Sequence, residues 1–451
     1  MMNEQTIFPY KRAFVLGLAK SGTAATNVLL NSNVDVRLLD DQVKESDSVV
    51  RTLQEKGVEV VFHSKDHSLL EDVDVVVKNP GIRYDHEVVQ RAQAQNIPVV
   101  TEVELAQLLA ENNDIIGVTG SNGKTTTTSL IAEMLGKSNE KVRLAGNIGV
   151  VACEEAATLR RDETLLLELS SFQLMGTPSL KPHIAVLLNL YEAHLDYHGS
   201  FSEYIKAKTA LFTNQTKSDY LVYNADDERV VEQVTKAQAT LVPFSLKKRQ
   251  EDGAWLDDQY IYFREEKVIS IDDIVLVGDH NKENILAAIC ASMLAGASKD
   301  AIAKVLRTFT GVKHRLQFVK NVHERFFYND SKATNMLATK KALVAFTQPT
   351  ILLAGGLDRG NDFDALIPAF TNVKALVLFG ETAEKIAATG KKANVEEIYV
   401  VRDVQEATKK AYEISQAGDI ILLSPACASW DQYKTFEERG EIFVQTVHIL
   451  A

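Results

Sequence analysis

The stretch Gly117–Ser129, GVTGSNGKTTTTS, decides how the chain is read. An apolar run, IIGV (115–118), leads into a turn holding Gly120 and Gly123, and Lys124 and Thr125 then open a helical segment. This order suits a phosphate-binding loop. Glycines let backbone N–H groups approach phosphate oxygens, and a helix N-terminus adds partial positive charge. Lys124 can reach terminal phosphates, and the Thr125 hydroxyl can ligate Mg²⁺. The common pattern G-x-x-x-x-G-K-[ST] needs a glycine five places before the second one. That place is Val118, with Gly117 one residue too early and Gly120 two too late. Only the entry to the loop is altered. The plain alternative is a strand-to-helix turn with a chance GKT.

Outward from this loop, short apolar strands alternate with helical segments. RAFVLG (12–17), VDVRLLD (34–40), VEVVFH (58–63) and DVDVVVKNPG (72–81) read as strands, and TEVE (101–104) reads as a capping box for a helix through Leu109. In the middle, DIIGVTG (114–120), ETLLLEL (163–169), HIAVLLNL (183–190) and DYLVYN (219–224) are strand-like. The alternating run 254–271 suits a hairpin, and NKENILAAICASMLAGA (281–297) a helix. Beyond GVKHR, ERFFYND (324–330), PTILLAGG (349–356), ALVLFG (375–380), EEIYVV (396–401) and DIILLSP (419–425) follow. Such alternation predicts an α/β protein with parallel sheets covered by helices on both faces. Three domains are expected: a Rossmann-like one over residues 1–102, a central P-loop ATPase-like one over 103–311, and a C-terminal Rossmann-like one over 312–451.

The chain has 451 residues, net charge −12 and 61 acids against 49 bases. That balance argues against a broad nucleic-acid surface, though not against small anionic substrates held by helix N-termini and local cations. Three scattered cysteines, Cys153, Cys290 and Cys427, form no disulfide framework and no metal-type spacing. No cleavable leader and no apolar run of membrane-spanning length is read. A monomeric cytoplasmic protein is expected.

Other motifs carry chemistry, each with an ordinary reading beside it. Glu168 ends the strand ETLLLEL, where a carboxylate near a phosphate loop suits Mg²⁺; an ordinary charged strand end is the alternative. NLYEAHLDYHG (189–199) clusters Glu192, His194, Asp196 and His198, either as a metal or proton site or as an exposed polar loop. Lys208 reads, by itself, as a solvated helix lysine. Gly17, Ala19, Gly22 and Asp40 resemble a dinucleotide fingerprint whose middle glycine is replaced by Ala19, hindering pyrophosphate approach. An NAD-dependent dehydrogenase is therefore one alternative function, and a non-catalytic nucleotide switch another. NDSKATN (329–335), GGLDRGNDF (355–363) and SPACASWDQYKTFEERG (424–440) all follow strands, where open α/β sheets bind ligands. Cys427, with no nearby histidine in its loop, reads as a small inert thiol rather than a nucleophile.

In order, GVTGSNGKTTT, GNIG, ELSSFQL, HLDYHG, GDHNKENILAA, HR and NDSKATN resemble the Mur ligase family of ATP-dependent amide-bond ligases over nearly the whole chain. Its phosphate loop has the shorter G-x-x-G-K-T form. The third-domain motifs resemble the members that add D-glutamate to UDP-N-acetylmuramoyl-L-alanine in peptidoglycan precursor synthesis. The Asp-Asn-Pro-Arg signature of diamino-acid-adding members is absent. Another amino-acid-adding Mur ligase, or one of folylpolyglutamate type, is the alternative within the family.

The resemblance implies that Ser21, Asp40, Asn79 and Gly81 line the UDP-sugar, with Asn147 of GNIG helping. It places ATP on Gly120, Asn122, Gly123, Lys124, Thr125 and Thr126, with Asn281, Asn284, Arg315, Asp330 and Lys332 at the nucleotide or its phosphates. Thr334, Arg359, Ser429 and Phe436 would frame D-glutamate. Two Mg²⁺ ions are expected, one on Thr125 and Glu168 and a second near His194 and a carbamylated Lys208. Lys124, Glu168, His194 and Lys208 are the catalytic set, and closure of the third domain onto the second is expected.

Overall fold

The computed structural model describes residues 8–62, 67–276 and 278–450, apart from the side chains of His67, Asp279 and His280. Three sheets carry the chain, one for each α/β stretch of the sequence. The first has the order Glu59–Val61, Asp35–Leu39, Arg12–Leu16, Val75–Lys78, Val99–Val100, with every pair parallel. A parallel strand with helices on both sides is apolar at every position. In Arg12–Leu16 the period of two sends Ala13 and Val15 to one core, with Ala25 and Leu29, and Phe14 and Leu16 to the other, with Val88 and Val89. The helix Lys20–Asn31 starts beside this sheet, and a Cβ at Gly22 would meet the Gly17 carbonyl oxygen at 1.9 Å. Glycine is what lets helix and strand approach so closely.

The second sheet has nine strands. The strand Ile115–Thr119 lies between Thr164–Glu168 and Ile184–Leu187, all parallel. Val142–Gly146 forms one edge. On the other side Tyr220–Asn224, Thr240–Ser245 and Ala254–Leu256 continue in parallel, and then Tyr260–Phe263 and Glu266–Ser270 turn antiparallel. The third sheet runs Gln317–Val322, Arg325–Asn329, Ile420–Leu423, Thr350–Ala354, Val373–Leu378, Glu397–Val400, parallel except for its first pair. The chain divides into two compact units: one runs through Asp273 and takes in Lys282–Val305, and the other comprises Ile274–Asn281 and Leu306 onward. The first unit holds two of the sheets and the second holds one.

Some local expectations are corrected. Thr101 does precede the helix Glu102–Leu109, but no side-chain cap forms. Its hydroxyl donates to Gln173 O at 2.8 Å, and Glu104 accepts from Ser179 N at 3.1 Å. Both side chains stitch the helix to the second sheet's loops, and this tertiary use displaces the capping box. The hairpin is a three-stranded antiparallel meander of Ala254–Leu256, Tyr260–Phe263 and Glu266–Ser270, whose first strand also pairs in parallel with Thr240–Ser245 through Phe244 and Ser245. The edge strands Val142–Gly146 and Gln317–Val322 are weakly apolar and escape a reading based on hydrophobic runs. The predicted strand end His63 lies outside the described residues.

Gly22→Ala forces its methyl against a backbone oxygen rather than a movable side chain. We expect it to lower the stability of the first unit by about 1–3 kcal/mol, measured by urea unfolding, with little effect on the second unit.

Candidate active site

The phosphate loop is built by its backbone. Gly120 has φ 158° and Gly123, just before the helix Lys124–Lys137, has φ 84°. A Cβ at Gly123 would meet Asn284 Oδ1 at 2.1 Å. Asn189 fixes the loop from the next strand. Its Oδ1 accepts from Asn122 N at 2.8 Å, its Nδ2 donates to Asn122 O at 3.2 Å, and its backbone O accepts from Ser121 N at 3.0 Å. Ser121 is held further by Tyr191 and by the Tyr204 hydroxyl at 2.8 Å. In the sequence Asn189 carries no signal of its own within the strand-like run 183–190; only the parallel pairing of 116–119 with 184–187 sets it beside the loop.

Two lysines converge on one carbonyl. Lys124 Nζ donates to Gly120 O at 2.8 Å and to Ser121 O at 3.1 Å. Lys208 Nζ donates to the same Gly120 O at 2.8 Å and to Thr119 Oγ1 at 3.4 Å. Lys208 is 1% exposed and lies 4.9 Å over the Tyr204 ring. Burial, and then the Lys124 charge, hold its pKa well below the ordinary lysine value. Its hydrogen-bond partners, Gly120 O and Thr119 Oγ1, are both uncharged oxygens. Its environment is thus the reverse of a solvated helix lysine.

Glu168 closes the neighbouring strand and is 1% exposed. One carboxylate oxygen accepts from Asn147 Nδ2 at 2.8 Å; the other, Oε2, is buried without a hydrogen-bond partner. Asn147 therefore stands with Glu168. The GLAKSG turn still reaches its loop, since Lys20 Nζ donates to Gly149 O at 2.6 Å. His194 is exposed, in the left-handed region at φ 55°, and edge-on to Phe172. The inward-facing histidine is His198, stacked on Phe172 and bonded to Ser171 Oγ at 2.9 Å. Glu192 and Asp196 are exposed, and no group of three or more His, Cys, Asp or Glu side chains that could hold a metal occurs among the described residues. Glu168 Oε2 and the Thr125 hydroxyl, together with phosphate oxygens and water, fit one Mg²⁺, which usually keeps several waters. An uncharged or cationic Lys208 does not fit beside a second ion.

In the first sheet, the residues after three adjacent strands share one end: the Gly17–Ser21 turn, Asp40, and Asn79 with Gly81. Asp40 accepts from Leu18 N at 2.5 Å and from Gln42 N at 2.7 Å, so its carboxylate shapes the turn.

The second unit gathers the three polar loops, because Arg325–Asn329, Ile420–Leu423 and Thr350–Ala354 are adjacent strands. Asp330 accepts from Ser424 Oγ at 2.8 Å and from Leu316 N at 3.1 Å, and burial pushes its pKa up to about 7. Thr334 N donates to Lys332 O, and Lys332 Nζ lies 5.6 Å over the Phe436 ring. Arg359 lies 5.1 Å over Trp430, and Ser429 Oγ is buried without a partner. Cys427 is buried, and burial raises its thiol pKa, as an inert thiol requires. The residue not anticipated is Arg439, fully buried on the helix Phe436–Ile449. It donates to Ser331 Oγ and O at 3.0 and 2.9 Å, to Cys427 O at 3.1 Å and to Gly355 O at 3.4 Å, touching all three loops. In the sequence it was one arginine of FEERG. Asn281, Arg315, Asp330 and Lys332 belong to this unit, whereas Asn284 belongs to the first.

The raised pKa of Asp330 has a definite sign. Between its ordinary value of 3.8 and about 7, the folded state binds more protons than the unfolded state, so stability falls as pH rises through that window. Asp330→Asn should flatten this slope in urea titrations of the second unit at pH 4 to 8; an unchanged slope would refute the assignment.

Three family models match the chain: Mur ligase MurD-like, N-terminal domain, over residues 11–101; Mur ligase middle domain over 118–292; and Mur ligase, glutamate ligase domain, over 314–427. A protein of Oceanobacillus iheyensis named UDP-N-acetylmuramoylalanine--D-glutamate ligase is 56% identical over 449 residues, covering 100% of both chains. One of the same name from Bacillus thuringiensis is 53% identical over 450 residues, again covering 100% of both. Among solved structures, UDP-N-acetylmuramate-alanine ligase of Thermotoga maritima shares the fold at TM-score 0.57 and 18% identity, covering 98% of this chain and 100% of its own. MurF ligase of the same organism, solved in complex with ADP, does so at TM-score 0.56 and 16% identity, covering 92% and 96%. With three family models in order along it and relatives above half identity from end to end, the chain belongs to the Mur ligase family.

Proposed function

We propose that this protein is the ATP-dependent ligase that joins D-glutamate to UDP-N-acetylmuramoyl-L-alanine in peptidoglycan precursor synthesis. Full-length identity of 56% to a relative bearing that name supports it. The observation that carries the chemistry is the convergence of Lys124 and the buried Lys208 on Gly120 O, at the mouth of a phosphate loop. A dehydrogenase has no use for this arrangement.

In this reading residues 1–102 hold the UDP-sugar, 103–311 hold ATP and 312–451 hold D-glutamate. Ser21, Asp40, Asn79 and Gly81 line the nucleotide of the sugar, and Asn147 steadies its other end. Gly120, Asn122, Gly123, Lys124, Thr125, Thr126 and Asn284 embrace ATP, with Asn281, Arg315, Asp330 and Lys332 completing the nucleotide site. Thr334, Arg359, Ser429 and Phe436 frame the amino acid. A carboxylate oxygen of the alanyl group attacks the γ-phosphorus of ATP, and ADP leaves. The amine of D-glutamate attacks the acyl phosphate and phosphate departs. The amine proton passes to a base, the modified Lys208 or, where it is not a metal ligand, His194. Lys124 and Arg315 stabilise charge on the transferring group. Mg²⁺ on Thr125 and Glu168 would neutralise phosphate charge when bound.

Lys208 is the candidate carbamate. The neutral amine attacks CO₂, forms an N–C bond and loses one proton, replacing a cation with a carboxylate. Its lowered pKa favours the neutral amine that this step requires. Together with His194 the carbamate would suit a second Mg²⁺. The proposed setting is the cytoplasm, as a monomer acting on small molecules; among the described residues no helix is long and apolar enough to cross a membrane.

Phosphate release from ATP should require UDP-N-acetylmuramoyl-L-alanine and D-glutamate together, and should stop when EDTA removes Mg²⁺. Release with L-lysine or diaminopimelate in place of D-glutamate would overturn the acceptor assignment. Lys208→Ala should lower kcat by roughly 10²–10³-fold, the scale of a lost electrostatic group in a transition-state site. Unchanged turnover in that variant would remove the carbamate from the mechanism and leave the ligase reading standing.

A further inference from the structure

Lys78 is a fully buried base that the proposed chemistry does not use. It ends the strand Val75–Lys78, immediately before the turn Asn79-Pro80-Gly81, and is 1% exposed. It has no acidic partner among the described residues, and its neighbours are oxygen atoms without formal charge. Nζ lies 2.9 Å from Ile82 O, 3.3 Å from Pro80 O, 3.4 Å from Asn79 O and 3.2 Å from the Tyr197 hydroxyl. The Tyr84 ring covers it at 4.6 Å. Burial pulls the lysine pKa down to about 7, while each accepting oxygen favours the protonated form.

Tyr197 makes this more than an internal brace. It comes from the HLDYHG segment, three residues after His194, and its hydroxyl lies 2.9 Å from Pro80 O and 2.8 Å from Ile82 O. The tyrosine and the lysine therefore share two carbonyls of the turn and bond to each other. Arg83 adds a second tie by donating to Asp196 O. The turn with Asn79 and Gly81 and the segment with His194 are thus fixed to one polar node, although more than 110 positions separate Lys78 from Tyr197 in sequence.

We propose that Lys78 is a positioning residue that holds the sugar-nucleotide turn at a set distance from the His194 segment, through Tyr197. The proposal rests on the reading of residues 79–81 as part of the sugar-nucleotide site. One substrate must span from that turn to the phosphate loop, since its nucleotide is held at one end and its carboxylate reacts at the other. ATP has no such requirement. A misplaced span therefore penalises the sugar nucleotide and turnover, and leaves ATP binding alone.

The test uses Tyr197→Phe, Lys78→Met and the double variant in the full chain. Tyr197→Phe removes the shared hydroxyl without stranding a buried charge, and it carries the test if Lys78→Met fails to fold. We expect each single variant to lower kcat/KM for UDP-N-acetylmuramoyl-L-alanine by roughly 10–100-fold, the scale of ångström misplacement. The double variant should be no worse than the poorer single, and the Kd for ATP should be unchanged. In parallel, hydrogen exchange of the ligand-free chain should quicken in Tyr197→Phe at residues 79–84 and 195–198 but not in the phosphate loop. Wild-type kcat/KM in Tyr197→Phe, or an equal loss of ATP affinity, would overturn the proposal. If the wild-type chain released no phosphate, the ligase reading would fail while the exchange data still decided whether the node couples the two segments.

Discussion

A buried basic side chain held by backbone carbonyls rather than by an acid recurs beside each of the three sheets. Lys78, Lys208 and Arg439 are the fully buried basic side chains among the described residues, and none makes a salt bridge. A buried charge without an acid is costly unless oriented dipoles surround it. The oxygens that serve here are those of loops leaving the carboxyl ends of parallel strands: Gly120 O for Lys208, Pro80 O and Ile82 O for Lys78, and Cys427 O and Gly355 O for Arg439. Each cation fixes the shape of the loops around it. Burial lowers the pKa of all three.

The same constraint prepares the sheet ends for anions. Loops held in this way present their N–H groups and helix N-termini in a fixed arrangement, and such a preorganised field acts on developing negative charge. The reaction proposed here is rich in such charge: a diphosphate, a triphosphate, an acyl phosphate and a dicarboxylic amino acid. A chain of net charge −12 can handle them because helix N-termini and local cations such as Lys124 lie at these strand ends. Glu168, with one oxygen bonded to Asn147 and one without a partner, is the acidic counterpart on the strand next to the phosphate loop.

Local signals were legible wherever a single segment carries the chemistry. The glycines, Lys124 and Thr125 of GVTGSNGKTTTTS lie at a strand end and helix start, as their order predicts. Signals failed where partners come from distant segments. Thr101 and Glu104 have the spacing of a capping box, yet Gln173 and Ser179 take their side chains. Of the two histidines of HLDYHG, His194 is exposed and His198 buried, a difference set by Phe172 and Tyr204 closing around His198 and not by the segment itself. Lys208 read as solvated because its helix lacks a strong apolar stripe; the loop it packs against lies 88 residues earlier.

The sequence by itself determined the alternation of strand and helix, the phosphate loop and the order of motifs that identifies the family, since each depends on residues within one turn or one strand. The tertiary structure alone decided which loops are neighbours. Strand order places Asn189 against Asn122, brings 329–335, 355–360 and 424–431 to one edge, and sets Tyr197 beside Lys78. Parallel pairing joins strands far apart in sequence, and the buried cations then bind whichever carbonyls that pairing leaves exposed at the strand ends.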